Sequence, residues 1–283
     1  MKYPPVASKK VLVTGCSTGI GAATARLLKA SGWSVVPTAR KPADLERLRQ
    51  EGFTPVELDV ADSASVRRCA EETLRIFGGE LGAVVNNAGF GQPGAVEDLT
   101  RDVMRHQFEV NVFGLQELTN QFVPLLRKQG SGRIVNVSSV LGRITIPFMG
   151  IYCASKHAVE ALSDVLRVEL SGSGVSVSII EPGPITTSFR DTSVERAKMQ
   201  IGEVKSPFME QYRKRIERTD DDEGFSRKFS LPPEAVAAKI RHALESPSPR
   251  RRYPVTVIAW MGELMHRFAP AWFMDKGMSQ RLR

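Results

Sequence analysis

Cysteine is scarce in this chain. Cys16, Cys69 and Cys153 are scattered through 283 residues, an odd number with no Cys-x-x-Cys pair. That usage speaks against a disulfide framework and for reduced thiols in a cytoplasmic compartment. No uninterrupted apolar run reaches the roughly 18 residues that a bilayer span needs. The nearest approach, residues 253–274, is broken by Glu263, His266, Arg267 and Pro270. The opening MKYPPVASKK has no apolar h-region, so no secretory leader is expected. His106, His157, His242 and His266 stand apart from one another and from the cysteines, and no metal site is expected. Neither internal repeats nor a break in composition marks a second domain, and residues 1–283 are expected to form one.

Acidic residues are also in deficit: 39 Lys and Arg face 31 Asp and Glu, a formal net charge of +8. The excess gathers at Arg213 to Arg215, at Arg250 to Arg252 and again in the tail, on no recognisable DNA- or RNA-binding motif. Solvated basic faces are therefore expected and no nucleic-acid partner, with a smaller share for attraction to anionic membranes or metabolites.

What is present is a rhythm. KKVLVTG, SVVPTAR, TPVELDV, LGAVVNNAG, GRIVNVSS, VSVSIIEPG and RRYPVTVIAW read as apolar strands. Between them lie GIGAATARLLKASG, a helix ending at Gly32, residues 42–51, and SVRRCAEETLRIF capped by Asp62 or Ser63. Further helices are a stretch from about Arg101 to Lys128 that Pro124 should bend or end, the segment around Tyr152, and PPEAVAAKIRHAL. Strands of near-continuous Val, Ile and Leu separated by helices predict an α/β fold. It is a Rossmann-like, doubly wound parallel sheet with helices on both faces. Residues 188–230 break the rhythm with polar and charged residues. They are expected to form a lid over the carboxyl ends of the strands, where ligands bind in such sheets. Met199, Phe208, Met209 and Phe225 would line an apolar pocket there or only hold the lid down.

The first βα turn, TGCSTGIG at 14–21, carries Gly15, Gly19 and Gly21, out of register with the Gly-x-Gly-x-x-Gly fingerprint. The physics is shared. Gly15 permits a tight turn, the backbone can approach a pyrophosphate, and Gly21 lets the helix pack closely on the strand. The helix N-terminus then offers N–H groups to the anion. At the end of the second strand, where an acid would bond the free 2′-hydroxyl of NAD, the chain has Ala39, Arg40 and Lys41. A 2′-phosphate meets cations there, so NADP(H) is expected over NAD(H), with a merely exposed Arg40 as the alternative.

The segment IYCASKHAVEAL supplies the chemistry. Of four tyrosines only Tyr152 has a lysine four residues on, Lys156, one turn along the same helix face. An adjacent ammonium favours phenolate. A fall of about three pH units from the usual value of about 10 takes about 4 kcal/mol. That would set the phenol near neutral pH, where general acid–base catalysis is most effective.

Taken in order, TGCSTGIG, LDV at 58–60, NNAG at 86–89, VNVFG, VNVSS, the Tyr152/Lys156 pair and EPGPITT resemble the motifs of the short-chain dehydrogenase/reductase family over roughly residues 9–190. The resemblance implies an enzyme that exchanges a hydride between a nicotinamide and a carbonyl, with Tyr152 as the proton donor. Lys156 would also bond the nicotinamide ribose, and Ser139 would hold the substrate oxygen. Ser138 is the neighbouring candidate, on the other side of the strand. Asn111 would position a relay water, against the plainer reading of a satisfied buried amide. Cofactor contacts are implied from Gly15, Ser17, Thr18, Gly19, Ile20 and Gly21, from Arg40, and from Asp59 at the adenine. Asn87, Ala88, Gly89, Tyr152, Lys156, Pro182, Gly183, Ile185 and Thr187 complete the implied set.

Within that family, TGCS, YCASK, EPGPI and RYPVT resemble bacterial NADP-dependent aldehyde reductases and, second, hydroxysteroid and retinol dehydrogenases. The first group fits the tail better, through RYPVTVIAW and MDK. A small apolar aldehyde, ketone or alcohol is the implied substrate, in a homodimer or homotetramer. Residues 260–283 depart from the family's ending. Met261, Leu264, Met265 and Phe268 share a helix face, and Trp272 and Phe273 follow Pro270. This helical extension is expected to cap the substrate pocket, to pack in a subunit interface or to lie on a membrane, in that order. A non-catalytic NADP sensor is the rival of another class, and it would be expected to lack the tyrosine or the lysine.

Overall fold

The computed structural model describes residues 2–201, 205–217 and 229–279. Seven strands, β1 (Lys10–Val13), β2 (Ser34–Ala39), β3 (Val56–Glu57), β4 (Ala83–Asn86), β5 (Gly132–Val137), β6 (Val175–Glu181) and β7 (Arg252–Pro254), form one sheet in the order β3-β2-β1-β4-β5-β6-β7. All neighbours run parallel. The described helices are α1 (Gly19–Ala30), α2 (Pro42–Gln50), α3 (Ser63–Ile76), α4 (Arg101–Phe108), α5 (Gly114–Gln129), α6 (Gly150–Glu169), α7 (Phe189–Ile201), α8 (Met209–Glu217), α9 (Pro233–Glu245), α10 (Val257–Phe268) and α11 (Ala271–Ser279).

Alternation along the strands builds both faces of the core. Val11 and Val13 pack with Ala25 and Leu28 of α1 and with Val236 and Ile240 of α9. Leu12 and Val84 turn the other way, onto Val66 and Ala70 of α3 and Leu118 and Phe122 of α5. The chain winds outward from β1 to β3, then returns and winds outward again from β4 to β7. That reversal opens a crevice beyond the carboxyl ends of β1 and β4.

Four details differ from the sequence reading. β3 keeps only two ladder residues, because Asp59 N turns aside to Ser65 Oγ at 3.0 Å. The Arg101–Lys128 stretch is two helices joined by a π-turn at Glu109–Phe113. Pro124 does not end α5: the helix runs on to Gln129 and stops at Gly130, which is left-handed at φ 66°. Buried Phe122 and Leu126 hold the turns on either side of the proline, so packing outweighs the lost hydrogen bond. RRYPVTVIAW is a strand only as far as Pro254. Thr256 Oγ1 then accepts from Ala259 N at 3.1 Å, and that cap turns the apolar run into α10. The α3 cap, open between two residues, is Asp62, whose carboxylate accepts from Ala64 N and Ser65 N.

Arg252 ties the far edge of the sheet to α6. Its Nε lies 3.1 Å from Glu160 and 3.2 Å from Glu181, and a second nitrogen reaches Asp164 at 2.6 Å. Both glutamates are buried. Burial and the like charge of Glu160 raise Glu181 to about 8. Arg252→Met leaves those carboxylates without their cation, and a loss of about 3 kcal/mol is expected in chemical denaturation above about pH 8, where Glu181 is ionised. The loss should shrink as acid neutralises the glutamates; a penalty independent of pH would contradict this account.

Candidate active site

The first wall of the crevice is the glycine turn, laced to the end of β4. Gly15 is left-handed at φ 71°, and a Cβ on it would meet Ala88 Cα at 2.8 Å. A Cβ on Gly21 would lie 2.1 Å from Gly15 O, so α1 rests directly on the turn. Thr14 Oγ1 accepts from Asn87 N and Ala88 N, each at 2.9 Å. Asn87 Nδ2 donates back to Thr14 O at 2.9 Å and Gly15 O at 3.1 Å. The Asn87 amide, expected at the cofactor, therefore braces the turn. Thr18, the N-cap of α1, makes no side-chain cap, and its hydroxyl pairs with Ser188 at 2.9 Å. The first-turn N–H groups of α1, from Gly19 and Ile20 onward, are thus left uncapped by a side chain, as a pyrophosphate site requires.

The opposite wall follows β6. Pro182 O accepts from Val140 N at 2.8 Å, and a Cβ on Gly183 would lie 2.1 Å from Thr256 Oγ1. Ile185 pairs with Leu231, and the Thr187 methyl would lie 3.1 Å from a Cβ on Gly19. A Cβ on Gly89 would sit 3.0 Å from Asn111 Oδ1 and 3.8 Å from Lys156 Nζ, so only a glycine keeps this floor open. These features fit a nicotinamide dinucleotide.

At the end of β2 Arg40 lies 3.7 Å from Asp59, whose carboxylate also accepts from Ala61 N at 3.0 Å. Two cations that the sequence reading missed join it. Arg196 of α7 lays its guanidinium 3.7 Å over the Phe90 ring. Burial and then the charge of Arg40 hold its pKa below the usual value. Arg47 of α2 donates to Ser17 O in the glycine turn. Arg196 lies far along the chain, within the segment read as a lid, and no local pattern connects it to Arg40.

The reacting end is built on α6. Tyr152 is 6% exposed and Lys156 5%. The ammonium lies 5.9 Å from the phenol ring centre and donates to Val137 O at 2.8 Å. Ser139 is the serine that bears on Tyr152. Its hydroxyl works to lower the phenol pKa, but burial prevails and holds that pKa above its ordinary value. The expected depression of the phenol is therefore reversed in the protein alone, because desolvation outweighs every favourable neighbour. Burial likewise lowers Lys156 to about 8, with the charge of Glu160 opposing it. Ser138 points the other way, toward Glu160.

Asn111 occupies the π-turn. Its Nδ2 donates to Phe90 O at 2.9 Å and Ser155 Oγ at 3.1 Å, and its Oδ1 accepts from Phe90 N at 3.1 Å. Those bonds are what a satisfied buried amide makes. They fix the end of β4 to α6.

An apolar shell surrounds the phenol. Leu141, Ile146, Met149 and Cys153 pack with Tyr152, and the Phe189 ring of α7 lies 5.6 Å from the tyrosine ring. Phe189 carries no motif and escaped the sequence reading. Of the expected lid residues, Phe208 and Met209 pack on Ala95, Phe148 and Tyr212, which holds α8 down. Met199 is exposed, and Phe225 lies outside the described residues. Among the described residues no group of three or more His, Cys, Asp or Glu could hold a metal ion.

Lys156 has a testable linkage. Its folded pKa of about 8 lies below the unfolded value, so between them the unfolded chain binds the extra proton and stability rises with pH. Relative to Lys156→Met, the wild type should gain about 1 kcal/mol between pH about 7 and about 9 in denaturant unfolding. A difference that stays flat or falls over that range would contradict the burial argument.

The family model described as short chain dehydrogenase matches residues 9–198. An uncharacterized oxidoreductase of Escherichia coli K12, YbbO, is 42% identical over 271 residues, covering 96% of this chain and 94% of its own. An NADPH-dependent 3-dehydrocapnine reductase of Ornithobacterium rhinotracheale is 33% identical, covering 94% of each chain. The crystal structure of a short chain dehydrogenase/reductase from Burkholderia phymatum in complex with NAD matches with a TM-score of 0.73 at 27% identity, over 92% of this chain and 93% of that one. A parallel seven-stranded sheet, a glycine turn facing a Tyr/Lys helix and these likenesses agree: the chain belongs to the short-chain dehydrogenase/reductase family of oxidoreductases acting on alcohol and carbonyl groups.

Proposed function

We propose that the protein is an NADP(H)-dependent reductase of apolar aldehydes or ketones, acting in reverse on the matching alcohols. The observation that carries this reading is a buried phenol beside Ser139 inside the shell of Leu141, Ile146, Met149 and Phe189. Such a lining gains from desolvating a hydrocarbon substituent and offers little to a charged one.

When bound, the reduced nicotinamide supplies the hydride. The residues of the chain handle the proton. Ser139 orients the carbonyl oxygen, and Tyr152 holds its proton at neutral pH because burial raises its pKa. Lys156, charged below about pH 8, stabilises the phenolate as the proton leaves. Asn111 acts as a positioning residue through Phe90 and Ser155. Phe189 shields the phenol ring from water.

Arg40 and Arg196 support the choice of NADP(H): residues 39–41 after β2 carry no acid of their own, and two cations outnumber the single carboxylate of Asp59, 3.7 Å from Arg40, which suits a 2′-phosphate. The name of the Ornithobacterium relative points the same way, whereas the Burkholderia structure holds NAD.

A panel of carbonyls followed by loss of NADPH absorbance tests the reading. Apolar aldehydes of medium length should turn over and carboxylated ones should not; the reverse order would overturn it. Tyr152→Phe should lower kcat by at least about 100-fold while leaving the cofactor Kd within about twofold. A near-normal rate would remove the phenol from the mechanism. Replacing Arg40 and Arg196 by alanine should raise the KM for NADPH at least about tenfold and leave that for NADH nearly unchanged. Equal losses for both cofactors would defeat the phosphate assignment.

A further inference from the structure

The last two helices invert the usual arrangement of a surface helix. α10 turns its small residues inward: Ala259 and Gly262 are buried, and a Cβ on Gly262 would meet Val140 at 2.6 Å. Its bulky residues Val257, Trp260, Met261, Leu264 and Phe268 face out, with Trp260 65% and Phe268 70% exposed. Their spacing of three and four residues places all five in one stripe. α11 adds Trp272, 66% exposed, and Phe273, whose rings stack edge-on at 6.0 Å. Of the fourteen large hydrophobics exposed among the described residues, seven lie on these two helices. A patch of this kind calls for a partner.

Charge selects it. Glu263 is already neutralised by Arg143 at 2.7 Å, which leaves Asp275 as the other acid after Thr256. Arg267 and Lys276 are exposed beside the aromatic residues, and Arg281 and Arg283 follow in the sequence of a chain whose net charge is +8. A twofold contact with a second copy would face these cations with their own images, whereas anionic headgroups complement them. Tryptophan flanked by cations over an aliphatic stripe is the composition that seats at the headgroup level of a bilayer. No described helix is long and apolar enough to cross a membrane, so the helices would lie on it.

We infer that the outward face of α10 and α11 docks the protein on an anionic lipid surface. This does not depend on the identity of the substrate. It reverses the order expected from the sequence, which set a pocket cap and a subunit interface ahead of a membrane. The pocket cap falls away for these residues because they point to solvent.

The test is flotation of the full chain with vesicles of phosphatidylglycerol and phosphatidylcholine, set against vesicles of phosphatidylcholine alone. The protein should float with the first and not the second, and high salt should release it. Tryptophan emission should shift to the blue on adding the anionic vesicles. The triple variant Trp260→Ser, Phe268→Ser, Trp272→Ser should lose at least about tenfold of the bound fraction, and so should Arg267→Glu with Lys276→Glu. Thermal unfolding controls for the fold of both. Wild type that remains unbound, or a triple variant that floats equally, overturns the inference. Absence of flotation together with a dimer mass that the triple variant abolishes overturns it in favour of a second copy.

Discussion

Burial of Tyr152 and Lys156 side by side is the constraint on which the site depends. Each group, taken out of water, is driven toward its neutral form: the phenol pKa goes up and the ammonium pKa comes down. A phenol that keeps its proton at neutral pH is a proton store, and an amine with a pKa of about 8 still carries charge there. The pair can therefore wait with the proton on oxygen and stabilise the oxygen once the proton has gone. Glu160, one turn further along α6, favours the charged lysine, and Arg252 in turn neutralises Glu160. The sheet edge at β7 is thus electrically linked to the reacting residues through a single helix.

The rest of the crevice is held by hydrogen bonds that a ligand does not need to make. Thr14 and Asn87 close the glycine turn onto the end of β4. Asn86 donates to Asn136 at 2.8 Å across neighbouring strands, and Asn136 donates to Ser163 of α6 at 2.8 Å. Asn111 joins the same end of β4 to α6 through Ser155. Three asparagines thereby fix the distance between the nucleotide side of the crevice and the tyrosine helix. Buried amides paired in this way rigidify a site, and of this network only Asn86 Oδ1 is buried without a hydrogen-bond partner among the described residues.

Strand positions and the motif residues were legible because both are local signals. Continuous Val and Ile runs mark buried parallel strands, and glycines in a first βα turn mark close backbone approach. Strand alternation sets Ser138 and Ser139 on opposite sides, and the family resemblance, through its spacing to the tyrosine, picks Ser139. What escaped was decided by distant contacts. VIAW has the composition of a strand, but the Thr256 cap and the fit of Gly262 against Val140 make it a helix. Pro124 looks like a breaker until Phe122 and Leu126 are seen buried on either side of it. Arg196 and Phe189 reach the crevice from a segment with no motif. The phenol pKa runs opposite to the sequence expectation because a sequence shows the neighbouring charge and hides the desolvation that opposes it.

The central claim is that burial keeps the Tyr152 proton in place until a positive charge in the crevice draws it off. An ultraviolet difference titration of wild type against Tyr152→Phe, without and with oxidised cofactor, measures this directly. The phenolate signal should appear only at strongly alkaline pH in the protein alone and should move toward neutral pH once the cofactor is bound. A Tyr152 signal that titrates near neutral pH without cofactor, or one that the cofactor leaves unmoved, would contradict the account.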